Sequence, residues 1–530
     1  AGWMHFAPLW DHFHKGEYEE ALKCANQVDV PGLFWPFLVM ASACGHLGRR
    51  TEAAAAVRDL LALDPEFAAH ARSNVATWHF ASGLMEPILE GLRKAGLSIL
   101  EEESSDSPSR SGKVTAKADR AKAGPKAEAV RTDEGFWVAV LPFKYSGSNA
   151  DLAALAEGLT EEIVTGLSRF SYLEVIARGA TSRYAQESVD VRSVGKELGA
   201  RYVMEGSVRQ AGPRLRVAVQ LVDTVSGTHL WAETYDRAFV PEDLFTLQDD
   251  LVPRIVSTVA DQNGVLTRRM SETLRSKSED ALTPHEAALR AFTYFERVTP
   301  EEHAVVRRIL ERAVRGASDH ADCWAMLSIM YSVEFADDFN PEPNSLDRAL
   351  AAADRAVHLA ATHALGHYAL AFVYFLRKET ASFRAEAEKA LALNPMDGSI
   401  MGILGVLINC AGELERGCQM AEAAMQLNPN HSALLRWAAF TNAYAQGKYA
   451  EALECAVRIN MPNYFYAYSA RAAALGQLGR REAAEKELRE LLALRPDFAT
   501  AARREYAKWH DSATVEHMID GLRKAGLAVN

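Results

Sequence analysis

Four prolines, Pro395, Pro429, Pro462 and Pro496, stand 34, 33 and 34 residues apart. That period constrains the fold more than any other feature of the chain, because it is the length of one helical hairpin with its turns. Proline cannot continue a helix, so it marks the end of each repeat. Gly412, Gly447 and Gly479 recur where the two helices of a hairpin must turn. Ala390, Ala452 and Ala484 fall where those helices pass close together. Leu393-Asn394-Pro395 and Leu427-Asn428-Pro429 close consecutive repeats in the same way. Residues 265–530 are therefore expected to form a solenoid of about five or six hairpins between Pro284 and Pro496, with a cap running to Leu527. Its first repeats are irregular, since Phe335 to Asn344 brings Asp, Asn and Pro into a turn that should be short.

The other end of the chain carries the same pattern. Gly16, Tyr18, Ala21 and Leu22 resemble the turn and second-helix start of a tetratricopeptide repeat, a family built from pairs of antiparallel helices. Gly48-Arg49-Arg50 occupies the next turn, and Pro31 and Pro65 are again 34 apart. Adding 431 takes Gly16 to Gly447, Tyr18 to Tyr449, Cys24 to Cys455, Phe34 to Phe465, Gly48 to Gly479 and Trp78 to Trp509. The ending Gly91 to Leu97 recurs as Gly521 to Leu527. Residues 1–97 thus read as a duplicated C-terminal end, two repeats and a cap. About three repeats are usually needed for stability. The first helix is strongly apolar for an unstacked end, with Trp3, Phe6, Leu9, Trp10 and Phe13. Large exposed apolar faces mark contact sites. This helix is expected to be covered by another subunit or a different protein, giving a homo-oligomer or a larger complex.

Residues 98–135 read as a linker. Glu101-Glu102-Glu103 and a run of serines open it, and a Lys/Ala-rich part follows from Lys113 to Lys126. Such a stretch has too little apolar content to repay the entropy of ordering.

Residues 136–264 have a different periodicity. Val138 to Phe143 is a short apolar run suited to a buried strand. Leu152, Leu155, Leu159, Ile163 and Leu167 line one face of a helix. Leu173 to Ala177 follows as a strand, then a short helix through Val191, Val194 and Leu198 that stops at Gly199. Tyr202 to Val208, the alternating Leu215, Val217, Val219 and Leu221, and His229 to Tyr235 complete the strands. Leu244, Leu247, Leu251, Ile255 and Val259 mark a closing helix. The segments 141–143, 156–170, 175–178, 194–212 and 215–237 resemble the TolB-like domain. The resemblance implies a small α/β module of bacterial proteins, commonly followed by tetratricopeptide repeats. It also implies a place behind a class III adenylate or guanylate cyclase domain, or behind a winged-helix DNA-binding domain. It transfers no chemistry to any residue. The expected fold class is therefore mainly α, with tetratricopeptide solenoids flanking one small mixed-sheet α/β domain.

Charge and motifs narrow the function. A net charge of -12 disfavours a general binder of nucleic acid or anionic membranes. No apolar run approaches the ~20 residues that span a bilayer, and no secretory signal precedes the first repeat. Six cysteines without a CxxC pair suit a reducing, cytoplasmic setting. The phosphate loops GxxxxGK[ST] and GxGxxG do not occur, nor does a GxSxG elbow. His285-Glu286 begins a zinc pattern, but Leu289 stands where its second His belongs. His358, His363 and His367 lack an evident third ligand and read as surface or packing histidines. No catalytic residue, cofactor or metal is expected.

The positive signal is the repeat groove. First helices of such repeats line a concave face. Repeat positions that tend to point there are occupied by Tyr368, Phe372, Phe375, Trp437, Thr441, Tyr444 and Tyr466. Aromatics are enriched at binding hot spots. The chain is expected to be a non-enzymatic interaction protein or scaffold of a signalling or assembly complex, binding protein partners through these grooves. The alternatives are the regulatory part of a nucleotide cyclase whose catalytic domain lies elsewhere, and a small-molecule sensor acting through the TolB-like domain.

Overall fold

The computed structural model describes residues 6–26, 35–63, 67–68, 71, 85–97, 137–185, 190–240 and 243–529. Trp3 and the 98–135 segment lie outside them. The chain divides into two units, Ala1–Lys126 and Ala127–Asn530.

In the first unit α1 (Phe6–His14) pairs with α2 (Tyr18–Ala25), α3 (Trp35–His46) pairs with α4 (Arg50–Leu63), and α5 (Met85–Lys94) packs on α3. Gly16 and Gly48 turn the hairpins with φ of +74° and +71°, a left-handed conformation that favours glycine. The apolar first helix behaves otherwise than its sequence suggests. Leu9 and Phe13 are fully buried within the unit, against a cluster that includes Leu22, Trp35 and Leu38. Trp10 is half-buried, edge-on to Trp35 at 5.9 Å. Leu9 and Phe13 are thus spent on the second and third helices, not offered to a partner. The side chain of Phe6 lies outside what is described.

The second unit opens with a six-stranded sheet of order β3-β1-β4-β5-β6, with β2 also on β4. The strands are β1 (Trp137–Val140), β2 (Lys144–Tyr145), β3 (Glu174–Val175), β4 (Tyr202–Ala211), β5 (Arg214–Asp223) and β6 (Thr228–Ala238). β1 runs parallel to β3 and β4, whereas β4, β5 and β6 are antiparallel. The expected single strand from Val138 to Phe143 is broken. Pro142 has no N–H for the ladder, and the pairing resumes at Lys144 opposite Ser207, one residue out of step with Val140 opposite Met204. Gly206 leaves room there for the Phe143 ring, which a Cβ would strike.

Helix α6 (Ala150–Leu167) covers one face of the sheet with the predicted leucine stripe, capped by Asn149. α7 (Val191–Leu198) covers the other face through Val194 and ends at Gly199, φ +67°. α8 (Leu244–Ala260) packs on α6.

The core does not stop at α8. One apolar cluster runs from Val138 through α9 (Val265–Arg275) and α10 (Pro284–Ala291) into the repeats as far as Ala438. The repeat helices are α11 (Pro300–Gly316), α12 (Ala321–Ala336), α13 (Ser345–Leu359), α14 (Ala364–Leu376), α15 (Thr380–Leu393), α16 (Gly398–Cys410) and α17 (Leu414–Leu427). They continue as α18 (Arg436–Ala445), α19 (Tyr449–Arg458), α20 (Phe465–Gln477), α21 (Arg481–Leu494), α22 (Phe498–Trp509) and α23 (Ser512–Ala525). From α12 to α21, consecutive helices pair as tetratricopeptide-like hairpins, and α23 packs back on α20. The fold is mainly α with one small mixed sheet.

Polar contacts tie the sheet region to the repeats. Tyr172 donates to the Ala260 carbonyl at 2.7 Å. Buried Asp261 accepts from Asn428 at 2.8 Å and from Ser257 at 2.9 Å. Burial pushes the Asp261 carboxyl up to about 6 against these bonds, and it pushes Asp397 at the start of α16 up to about 7.

Candidate binding site: an aromatic cavity inside the repeats

The first helices of five successive hairpins, α12, α14, α16, α18 and α20, face one another. Helix α22 lies across the space between them. What is left is a cavity of about 130 Å³. Ile329 and Val333 of α12, Ile403 and Leu407 of α16 and Tyr506 and Trp509 of α22 contribute to its wall.

Four of the seven expected groove residues, Tyr368, Phe372, Trp437 and Tyr466, line this cavity. They are brought together as the sequence suggests, but not on an open concave surface. Tyr368, Phe372 and Tyr466 are buried, and Trp437 is half-buried. The reason is α22. Trp509 stacks on Phe372 at 6.4 Å between centroids and stands perpendicular to Tyr466 at 6.3 Å. Its indole N–H donates to the Tyr466 hydroxyl at 3.1 Å. The other three expected groove residues lie off the cavity. Phe375 packs between Phe383 and Trp509. Thr441 donates back to the Trp437 carbonyl within its own helix at 3.0 Å. Tyr444 donates to the His517 carbonyl of α23 at 3.2 Å. For these three the groove reading is corrected: they hold helices together.

A charged cluster holds α22 in place, and its acceptor is the irregular insertion after α12. Asp338 takes a left-handed backbone, φ +56°, which Asp tolerates better than most residues. From there its carboxylate accepts from Arg495 at 2.5 Å and from Lys508 of α22 at 3.2 Å. Lys508 also donates to the fully buried Glu505 at 2.6 Å. The Asp338 carboxyl is held below its ordinary value: burial would raise it, and Arg495 and Lys508 outweigh burial. Ion pairs this well satisfied fix geometry more surely than they add stability. Lys508 carries no signal in the sequence, whereas Asp338 lies in the irregular Phe335 to Asn344 stretch and Trp509 repeats Trp78, neither of which by itself points to a site.

The histidines are packing groups. His363 caps α14 by accepting from Gly366 N–H at 3.1 Å. Its other ring nitrogen meets Asp322 at 2.9 Å and Ser171 at 3.0 Å. Burial would raise the Asp322 carboxyl, but the bonds from His363 and Ser171 bring it down to about 2. Ser171 donates to Asp322 directly, at 2.5 Å, so no relay through the imidazole exists and the three groups pin the sheet region to α12 and α14. His367 binds Glu386 at 2.5 Å and the Ala361 carbonyl at 2.9 Å. Among the described residues no group of three His, Cys, Asp or Glu side chains is placed to hold a metal ion. All six cysteines are free thiols, and among the described residues no helix is long and apolar enough to cross a membrane.

Residues 134–254, the sheet with α6, α7 and most of α8, match the family model described as HilA/YgeH-like transcriptional regulator, second domain. The putative adenylate cyclase 3 of Rhizobium meliloti (strain 1021) is 35% identical over 235 residues, 44% of this chain. The chain spans 39% of that protein's length. Among solved structures, YrrB, described as a TPR protein with an unusual peptide-binding site, is 21% identical and is matched over 93% of its own chain and 36% of this one. Its TM-score is 0.25, too loose a superposition to say anything of binding.

Proposed function

We propose that this chain is a non-enzymatic interaction module of a bacterial signalling assembly, in which a TolB-like α/β domain and tetratricopeptide repeats act as one body on a protein partner. The observation that carries this reading is the continuous core from Val138 to Ala438. It makes the sheet and the first repeats a single rigid platform, which suits a part that receives one partner and positions another. With α22 laid across the inner face of the repeats, the partner surface is their outer face. Cross-linking and mass spectrometry of the native complex test this: cross-links from a second protein should cluster on the repeat helices. Recovery of the chain as a lone monomer at micromolar concentration overturns it.

A second reading has its own observation. The 35% identity to part of a protein named as an adenylate cyclase favours a regulatory role toward a cyclase catalytic domain. On either reading purified residues 1–530 should not convert ATP to cyclic AMP. Robust turnover by that chain refutes both.

A further inference from the structure

Asp337 is the unresolved charge of the cavity. Its side chain is 7% exposed, and the hydrogen bond it receives comes from the Tyr464 hydroxyl at 3.3 Å, a long one. The cations around it are committed to other acids. Lys508 is held by Glu505 and Asp338, and Arg495 by Asp338, Asp497 and Glu505. Among the described residues no cation makes an ion pair with Asp337. Burying a carboxylate in this state is expensive, and the group protonates unless a cation joins it. Burial accordingly pushes Asp337 up to about 7, with Lys508 and the Tyr464 bond pulling the other way.

The rest of the wall complements that charge. It holds no Lys and no Arg, and it is rich in aromatic side chains, among them Phe372, Trp437 and Trp509. The Tyr294 hydroxyl, on the same wall, is buried without a hydrogen-bond partner. Aromatic rings attract cations, by up to about 2 kcal/mol when both are desolvated. A cavity of about 130 Å³ is close to the ~150 Å³ that accepts a benzene molecule, so it suits a ligand of roughly five to seven heavy atoms.

We propose that this cavity binds a small alkylammonium ion, with its charge against the Asp337 carboxylate and its alkyl groups among Phe372, Trp437 and Trp509. A neutral apolar ligand would fill the volume but leave Asp337 unpaired, and an anion would meet a carboxylate with no cation to offset it, since burial pushes the His510 imidazole on the same wall down to about 4 and keeps it neutral. The inference rests on the cavity alone and stands apart from the interaction role proposed above.

Choline and 3,3-dimethylbutan-1-ol have the same heavy-atom skeleton, with carbon replacing the charged nitrogen in the second. Isothermal titration of the full chain with each probe tests the proposal. Choline should bind at least about tenfold more tightly than the alcohol, since roughly 1.4 kcal/mol of charge pairing gives that ratio. In Asp337→Asn, with its circular dichroism unchanged, the choline preference should fall at least about fivefold, what remains coming from the aromatic wall. Equal affinity of the two on the native chain overturns the proposal, as does the absence of choline binding up to about 10 mM. A choline preference undiminished in Asp337→Asn also overturns it. The comparison on the native chain decides the matter even where the variant does not fold.

Discussion

Gly476→Ala should loosen the C-terminal cap. Gly476 lies on α20 where that helix crosses α23. A Cβ there would fall inside the contact radius of the Gly521 carbonyl oxygen and within 2.6 Å of the Ala525 backbone nitrogen. Both obstacles are backbone, so no rotamer change relieves them. The helices must part, loosening the apolar cluster that Leu475 shares with Ile519 and Leu522. Overpacking of this kind costs about 1–3 kcal/mol and occasionally more. Alanine returns at most about 1 kcal/mol through helix propensity. The crossing should dominate, with a net loss near 2 kcal/mol, or roughly a 30-fold rise in local opening at a factor of ten per 1.4 kcal/mol. Hydrogen exchange followed by mass spectrometry reads this directly in peptides from 512–525, which avoids assuming two-state unfolding in a chain of this size. Gly479→Ala is the control. Nothing lies within 4 Å of its Cβ position, and its φ is +68°, so it should disturb the α20–α21 turn and leave α23 protected. Unchanged or stronger protection of 512–525 in Gly476→Ala would refute the crossing argument.

Asp397→Asn should flatten the pH dependence of stability. The folded-state value is raised from 3.8 to about 7, so the folded chain holds the proton more tightly than the unfolded one. Its contribution is therefore full below about pH 4 and lost as pH rises to about 7, and urea midpoints of the variant should fall less over that window than those of the native chain. Lys508→Met should cost roughly 1–3 kcal/mol, because it removes the shortest ion pair of the buried Glu505 and leaves it the longer ones from Arg495 and Arg504, and it should expose both α22 and the turn after α12 to protease. Phe372→Ala should lower the melting temperature, at the low end of the ~3–5 kcal/mol usual for a core phenylalanine because the ring already borders empty space. A change in partner affinity with unaltered stability would return Phe372 to an exposed role.

The local parts of this fold are written in the sequence because their periods are local. The stripe from Leu152 to Leu167 and the alternation from Leu215 to Leu221 are both found buried as read. The break at Pro142 was also legible in principle, since a residue without an N–H stood inside the expected strand. The closing of the repeats was not. It depends on Asp338 meeting Lys508, 170 positions away, and on a side chain that reaches its partner only from a left-handed backbone. A repeat period reports which faces of a helix are apolar, but it says nothing about which later helix covers them. For that reason the same count that placed Tyr368, Phe372, Trp437 and Tyr466 on one inner face could not distinguish a groove from a cavity.

The contact between Asp338 and Lys508 has a bearing on how such a chain can change over generations. Open arrays gain and lose whole repeats readily, since each unit touches only its neighbours. Here the last hairpin must arrive at the same place as the turn after α12. Inserting or removing one 34-residue unit between them would rotate α22 away from Asp338 and uncover the aromatic wall. The number of repeats between Asp338 and Lys508 is therefore fixed by geometry, and length variation is confined to the stretches outside that span.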